Sequence, residues 1–352
     1  MAHRFPQLVH PIVQAPLAGG PSTPQLAAAV SSAGGLGFLA AGYKSPDAVE
    51  ADIARTRELT AEPFGVNLFF LTESRVDSGK LSAYARRLEP EARRYGIELG
   101  EPRFEDDALE AKLELVLHER VPIASFTFGC PSPEMVERLH ERAIAVWVTV
   151  TEVEEALVAV GAGADALIVQ GVEAGGHRGS FEDSDGRGEL ALLPLLRLVA
   201  RATDLPLVAS GGIADGAGVA AALAAGARAA QIGTGFLRCP EAATSPVHRG
   251  ALSRPGRTAL TRAFTGRRAR GIVNRWLRDY DAHAPAAYPH VHHLTSPLRV
   301  AARKEHDAET INLWAGQTYS LAEEVPAAQL VRRWSAEAEA ALDEAERRLG
   351  QQ

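Results

Sequence analysis

His177 stands in the run Gln170-Gly171-Val172-Glu173-Ala174-Gly175-Gly176-His177-Arg178-Gly179-Ser180. Imidazole is the side chain whose ordinary titration lies near neutral pH, and the four glycines around it give little local packing. Such a ring can project from its loop and exchange protons as a general acid or base. The alternative is a loop histidine in solvent. Two more glycine-rich turns follow, Ser210-Gly211-Gly212-Ile213-Ala214-Asp215-Gly216 and Gln231-Ile232-Gly233-Thr234-Gly235. Adjacent glycines let backbone N–H groups approach an anion, and a following helix N-terminus adds favourable partial charge. Either turn alone could simply close a fold; both together point to a phosphate. Upstream, Gln14-Ala15-Pro16-Leu17-Ala18-Gly19-Gly20 brings backbone close to whatever lies beside it, and Asn67 sits among Val66, Leu68, Phe69 and Phe70. A buried amide there needs partners, supplied by a ligand or by backbone.

Other candidates carry less. His290, His292 and His293 lack the Cys or Asp cluster a metal centre would need. Cys130 has nothing nearby in sequence to lower its pKa, so a small buried thiol is expected. No GxSxG elbow or Walker A pattern occurs, and Gly34-Gly35-Leu36-Gly37 precedes a strand where a dinucleotide fingerprint would follow one.

These loops must be held by regular elements. Short runs rich in Val, Ile, Leu and Phe predict strands at Ile12–Ala15, Gly37–Ala40, Gly65–Phe69, Ile123–Phe128, Ala145–Val150, Ala166–Gln170, Leu207–Ser210 and Ala230–Gly233. They lack polar alternation, as parallel strands covered on both faces do. Amphipathic stretches lie between them. Pro24–Ala33 follows Ser22-Thr23, Pro46–Leu59 follows Ser45, Pro133–Glu141 follows Ser132, and Gly216–Ala225 follows Asp215. Each thus begins at a capping residue, several with proline at the first helical position. Glu152–Ala162 follows Thr151, which with Glu154 forms a capping-box pattern. Strand then helix, eight times, predicts a closed (β/α)₈ TIM barrel; an open doubly wound sheet is the alternative. In such barrels the loops after the strands carry the chemistry, with phosphates held after the seventh and eighth. His177 and both glycine pairs fall at those positions.

Three domain-scale pieces are expected: a barrel over 1–255, a helical lid-like insertion over 256–325, and a terminal helix over 326–352 packing Val331, Trp334, Ala338 and Leu342 on the barrel. Leu71 to Arg120 reads as charged helix, with 72–80 as loop. The chain has 352 residues, 46% hydrophobic, with net charge −7, which argues against a nucleic-acid or anionic-membrane partner. Arg262, Arg267, Arg268, Arg270, Arg275 and Arg278 are expected to meet solvent or carboxylates rather than a ligand phosphate. Two widely spaced cysteines and no membrane-length apolar run fit a cytoplasmic protein.

The pieces PIVQAPLAGGPSTPQLAAAVSSAGGLGFLAAGYKS, FGVNLF, SFTFGCPS, VQGVEAGGHRGSF, LPLVASGGIADG, AAQIGTGFLRCPE, FTGRRARGIVNRW and LWAGQ together resemble the nitronate monooxygenase family, in its order and over nearly the whole chain. The resemblance implies an FMN-binding barrel. Gln14, Ala15, Pro16 and Leu17 would then line the isoalloxazine, and Asn67 would contact it. Gln170, Gly175 and Gly176 would hold it from the sixth-strand loop. Gly211 and Gly212, with Gln231, Ile232, Gly233 and Thr234, would cradle its phosphate, and His177 would be the catalytic base. Leu17 replaces the Met usual in the family's first motif, and the stretch Asp106-Asp107-Ala108-Leu109 lacks an aromatic residue that some members place near substrate.

The implied reaction is oxidative denitrification of an alkyl nitronate, such as propionate 3-nitronate, with O₂, giving a carbonyl compound and nitrite, in a monomer or homodimer. The rivals are an FMN-dependent NAD(P)H:quinone or enoyl-thioester reductase, a flavin-free barrel lyase or isomerase acting on a phosphorylated metabolite, and a non-catalytic FMN carrier.

Overall fold

The computed structural model describes residues 5–73 and 75–350. Its elements run β1 (Ile12–Gln14), α1 (Pro24–Ser32), β2 (Gly37–Ala40), α2 (Pro46–Leu59), β3 (Phe64–Phe69), α3 (Ser78–Tyr95), α4 (Leu109–Glu119), β4 (Ile123–Thr127), α5 (Pro133–Glu141), β5 (Ala145–Val150), α6 (Val153–Ala162), β6 (Ala166–Gln170) and β7 (Gly176–His177). They continue through α7 (Leu192–Ala202), β8 (Leu207–Ser210), α8 (Gly216–Ala224), β9 (Ala229–Ile232), α9 (Pro246–Leu252), β10 (Thr258–Thr261), β11 (Ala269–Ile272), α10 (Arg275–Tyr280), α11 (His290–Lys304) and α12 (Ala327–Gly350).

All eight expected strands are present, and each pairs parallel to its neighbour in the order β1-β9-β8-β6-β5-β4-β3-β2. The ring closes between β1 and β2 through a bridge at Val13 and Leu36, with Gln14 N–H donating to the Leu36 carbonyl at 2.8 Å and Leu36 N–H to Ile12 at 3.0 Å. The fold is a (β/α)₈ barrel. Val13, Phe38, Trp147, Ile168 and Val208 fill the barrel floor, where Phe5 stacks on Trp147 with centroids 5.1 Å apart. A larger apolar layer joins the outward faces of the strands to the helices, as a doubly covered parallel sheet requires.

The helix starts follow their capping residues. Thr23, Ser45, Ser132 and Asp215 each accept a backbone N–H from the first turn. The Thr151/Glu154 capping box does not form. α6 begins one residue later, and Glu155 rather than Glu154 reaches back to the Thr151 N–H (2.6 Å) and hydroxyl (3.0 Å). Its other oxygen takes the Phe181 N–H at 2.7 Å, fastening the loop that carries His177.

The segment after β9 is not wholly helical. β10 and β11 form an antiparallel hairpin, and β11 also pairs with β7, Ala269 opposite His177 and Arg270 opposite Gly176. Its small core is shared with α3: Tyr84 and Leu88 pack with Phe264, Trp276, Val291 and Leu298. The covering layer thus draws on both long insertions, and α3 begins inside the stretch expected to be loop. In α12, Val331, Trp334 and Ala338 are buried against the barrel, but Leu342 is exposed because the buried stripe continues through its neighbour Ala341, which packs on the core. No helix among the described residues is long and apolar enough to cross a membrane.

Candidate active site

A cavity of about 560 Å³ lies at the C-terminal ends of the barrel strands, within the range of small-molecule sites. Nearly all the expected residues meet in it: Ala15, Pro16, Leu17, Asn67, Gln170, Gly175, Gly176, His177, Gly211, Gly212, Gln231, Gly233 and Thr234. Gln14 and Ile232 do not. Gln14 is fully buried; its Oε1 accepts the Phe38 N–H at 3.0 Å, and its Nε2 donates to Ser22 Oγ at 3.1 Å and to the Ala15 carbonyl. Ser22 Oγ in turn takes the Leu17 N–H at 2.8 Å, so Gln14 shapes the cavity wall from behind. Ile232 belongs to the strand–helix core, because strand residues alternate faces.

One end of the cavity suits an anion. Gly211 and Gly212 adopt φ of +113° and +70°, where a side chain would be strained. The N–H groups of Gly211, Gly212, Gly233 and Thr234 find no protein acceptor among the described residues. Gln231 Oε1 is buried there without a partner, an arrangement that costs stability unless a ligand donor meets it. Asn67 is held by its Nδ2, which donates to Ser125 Oγ and Thr127 Oγ1, both at 3.0 Å. Gln170 spends both ends of its amide on the histidine loop, donating to the His177 carbonyl (3.2 Å) and accepting the Gly179 N–H (2.8 Å).

His177 is fixed by the β7–β11 pairing and by a hydrogen-bond contact of 2.9 Å between Nε2 and Thr265 Oγ1. The rings of Phe128, Tyr288 and Trp314 surround it at 5.5 to 5.8 Å. Phe128 has φ of +80°, rarely adopted without glycine. The Arg267 guanidinium covers its other side, 4.3 Å from the ring centroid. The ordinary titration near neutral pH that the residue type suggests does not hold for His177. Burial, then Arg267 and Arg299, push its pKa down to about 3, so the ring is neutral at pH 7.

Several residues of the site were not singled out from sequence. Tyr43 stacks flat on His292, 4.4 Å between centroids, and its hydroxyl lies 3.0 Å from that of Tyr288. Tyr43, Phe69, Phe128, His292 and Trp314 give the cavity aromatic walls that Asp106 to Leu109 do not supply. Arg299 and Arg303 also line it. Arg299 donates to the His292 carbonyl (2.9 Å) and Thr295 Oγ1 (3.2 Å), and Arg303 to Asn312 Oδ1 (2.8 Å). Neither has a carboxylate partner among the described residues, and burial lowers the Arg299 pKa to about 10. The available signal was the spacing of His292, Ser296, Arg299 and Arg303, a polar stripe along one face of α11.

The arginine cluster behaves otherwise. Arg262 pairs with Asp183 and Asp185, Arg268 with Asp183 and Glu189, Arg275 with Glu91, and Arg278 with Glu309. Arg267 and Arg270 donate to loop carbonyls. Cys130 is half-buried rather than the buried thiol expected; desolvation raises its thiol to about 11, and no metal-holding cluster is found among the described residues.

Three histidines of this region, His177, His248 and His292, are held down to about 3, 4 and 2, each chiefly by burial. In the unfolded chain they take up protons below about 6.5. The unfolded state therefore binds more protons, and stability falls as pH drops from 6.5 toward those lower values. Together they should lower the unfolding free energy by at most about 4 kcal/mol between pH 7.5 and 5.5. Urea titrations at the two pH values measure this, and His292→Phe should remove about a third of the difference. An unchanged difference in that variant would show that His292 is not buried neutral.

A family model described as nitronate monooxygenase matches residues 5–337. A nitronate monooxygenase of Pseudomonas aeruginosa is 42% identical over 349 residues, covering 94% of this chain and 98% of that one. Among solved structures, the nitroalkane oxidase of Streptomyces ansochromogenes superposes with a TM-score of 0.94 at 50% identity, covering 96% and 98% of the two chains. FabK from Thermotoga maritima superposes with a TM-score of 0.75 at 27% identity, covering 96% of each.

Proposed function

The chain belongs to the nitronate monooxygenase family and is an oxidoreductase; from that premise we propose that it binds FMN in the barrel cavity and oxidises alkyl nitronates, propionate 3-nitronate among them, with O₂. One observation carries the reading: a neutral imidazole shares its cavity with a backbone anion cradle and two arginines that lack counter-charges.

The residues present fit the cofactor. The free N–H groups at Gly211, Gly212, Gly233 and Thr234 suit a phosphate, and Gln231 Oε1 is an acceptor awaiting a donor. Ala15 to Leu17 and Asn67 would meet the ring system. When bound, FMN supplies the electron-accepting chemistry through which O₂ converts the nitronate to a carbonyl compound and nitrite. The chain's own residues position and deprotonate. His177, neutral at pH 7, takes the α-proton of an unionised nitroalkane, and Arg299 faces the negative charge left on the nitro oxygens. That charge raises the basicity of the ring as the proton arrives. Phe128, Tyr288 and Trp314 keep water from the reacting face, which strengthens each of these interactions.

The test is a visible spectrum of the purified protein, followed by propionate 3-nitronate with O₂ uptake and nitrite recorded. Flavin absorbance, O₂ consumption and nitrite release are expected. A yellow protein inert to nitronate but bleached anaerobically by NADH would replace this reading with a reductase. A colourless one that takes up no FMN would remove the cofactor from it.

A further inference from the structure

Thr265 lies in the turn joining β10 to β11 and is 2% exposed. The same hairpin grips the histidine strand, through Ala269 opposite His177 and through the Arg178 N–H donating to the Arg268 carbonyl at 2.8 Å. Ring and hydroxyl therefore belong to one rigid frame. Three groups converge on Thr265 Oγ1: His177 Nε2 at 2.9 Å, the Arg267 carbonyl at 3.3 Å and the Arg267 N–H at 3.5 Å. The hydroxyl has a single proton to give. A carbonyl can only accept, whereas an imidazole nitrogen can do either. No other donor reaches the Arg267 carbonyl among the described residues. Donation to Nε2 would leave that buried carbonyl facing an oxygen lone pair. Donation to the carbonyl lets Nε2–H donate to Oγ1, and all three groups are then satisfied.

We propose that Thr265 is a positioning residue that holds His177 as the Nε2–H tautomer, so that Nδ1 is the atom that takes the substrate's proton. The inference rests on His177 acting as the base proposed above. Nδ1 has no protein partner among the described residues, and the ring lines the cavity. In the step, the substrate Cα–H bond breaks and its electron pair stays on the carbon–nitro unit as nitronate. The proton goes to Nδ1, and Nε2–H keeps its bond to Thr265 throughout. A preformed nitronate needs no such transfer and bypasses the step.

Two readouts test this. In holoenzyme labelled with ¹⁵N-histidine, nitrogen–proton correlation spectra report the tautomer directly, the His177 signals being those lost in His177→Asn. A protonated Nε2 with a bare Nδ1 is expected in the wild type and in Thr265→Ser, with a mixed or reversed pattern in Thr265→Val. An Nδ1–H tautomer in the wild type overturns the inference, whatever the enzyme's activity and whether or not Thr265→Val folds. In kinetics, the ratio of kcat on a neutral nitroalkane to kcat on its nitronate should fall about 30-fold in Thr265→Val, the scale of one lost buried hydrogen bond. It should recover in Thr265→Ser. A fall of equal size on both substrates overturns the positioning role and leaves a structural one. Failure of the wild type on both substrates overturns the proposed function, and the spectra still decide the tautomer.

Discussion

Replacing His177 with Asn is expected to lower kcat on a neutral nitroalkane about 100- to 10,000-fold, the range that a positioned general base contributes. Asn is smaller than the imidazole, and its amide ends where Nδ1 and Cδ2 stood, short of the Thr265 hydroxyl that meets Nε2; the pairing of β7 with β11 runs through backbone, so the wall of the cavity should persist. It offers no basic nitrogen. Turnover of the preformed nitronate should fall far less, since the proton is already gone. FMN content, measured by absorbance after denaturation, should stay near that of the wild type, because His177 is not among the cradle residues. Undiminished turnover of the neutral substrate would end the base assignment. The pH profile gives a second check. With the ring held at about 3, kcat/KM on the neutral nitroalkane should show no acidic limb near 6.5, where a solvated histidine would produce one.

Arg299→Met should act first on the binding of the anion. Arg299 is 6% exposed and faces the cavity with no carboxylate to neutralise it, so an anionic ligand gains the attraction that the protein leaves unused. Methionine keeps much of the stem and removes the charge. KM for a nitronate should rise about 30-fold, from the loss of about 2 kcal/mol in charged hydrogen bonding, while KM for the neutral nitroalkane should shift less than about 3-fold. Because the site is buried, added salt should not mimic the mutation. Equal shifts in the two KM values would show that Arg299 only packs. His177→Asn spares turnover of the anion, whereas Arg299→Met weakens anion binding and, by removing the charge that faces the developing nitronate, also lowers kcat on the neutral nitroalkane.

Much of the architecture was legible because its signals are local. Eight short apolar runs, helix starts at Thr23, Ser45, Ser132 and Asp215, and glycine pairs after the strands at 207–210 and 229–232 place a mouth and an anion cradle with no knowledge of distant contacts. The local reading slipped where two nearby residues competed, as Glu154 and Glu155 did for Thr151 and as Ala341 and Leu342 did for the last place on the buried stripe of α12. It slipped on Gln14 for a similar reason. A polar residue beside a glycine-rich loop looks like a ligand contact until its partners, Phe38 and Ser22, are seen to use both ends of its amide.

The sequence by itself determined the barrel, the position of His177 at a strand end and the glycine turns, because periodicity, capping and turn chemistry act over a few residues. Only the tertiary structure decided what those residues can do. The charge state of His177 depends on burial by Phe128, Tyr288 and Trp314 and on the fields of Arg267 and Arg299, and its ring is fixed by a threonine 88 residues away. The unpaired arginines look in sequence like the paired ones. Desolvation and Coulomb interaction depend on distance in space, so which cation keeps its charge free for a ligand is settled only when α11 turns its polar stripe toward the barrel mouth.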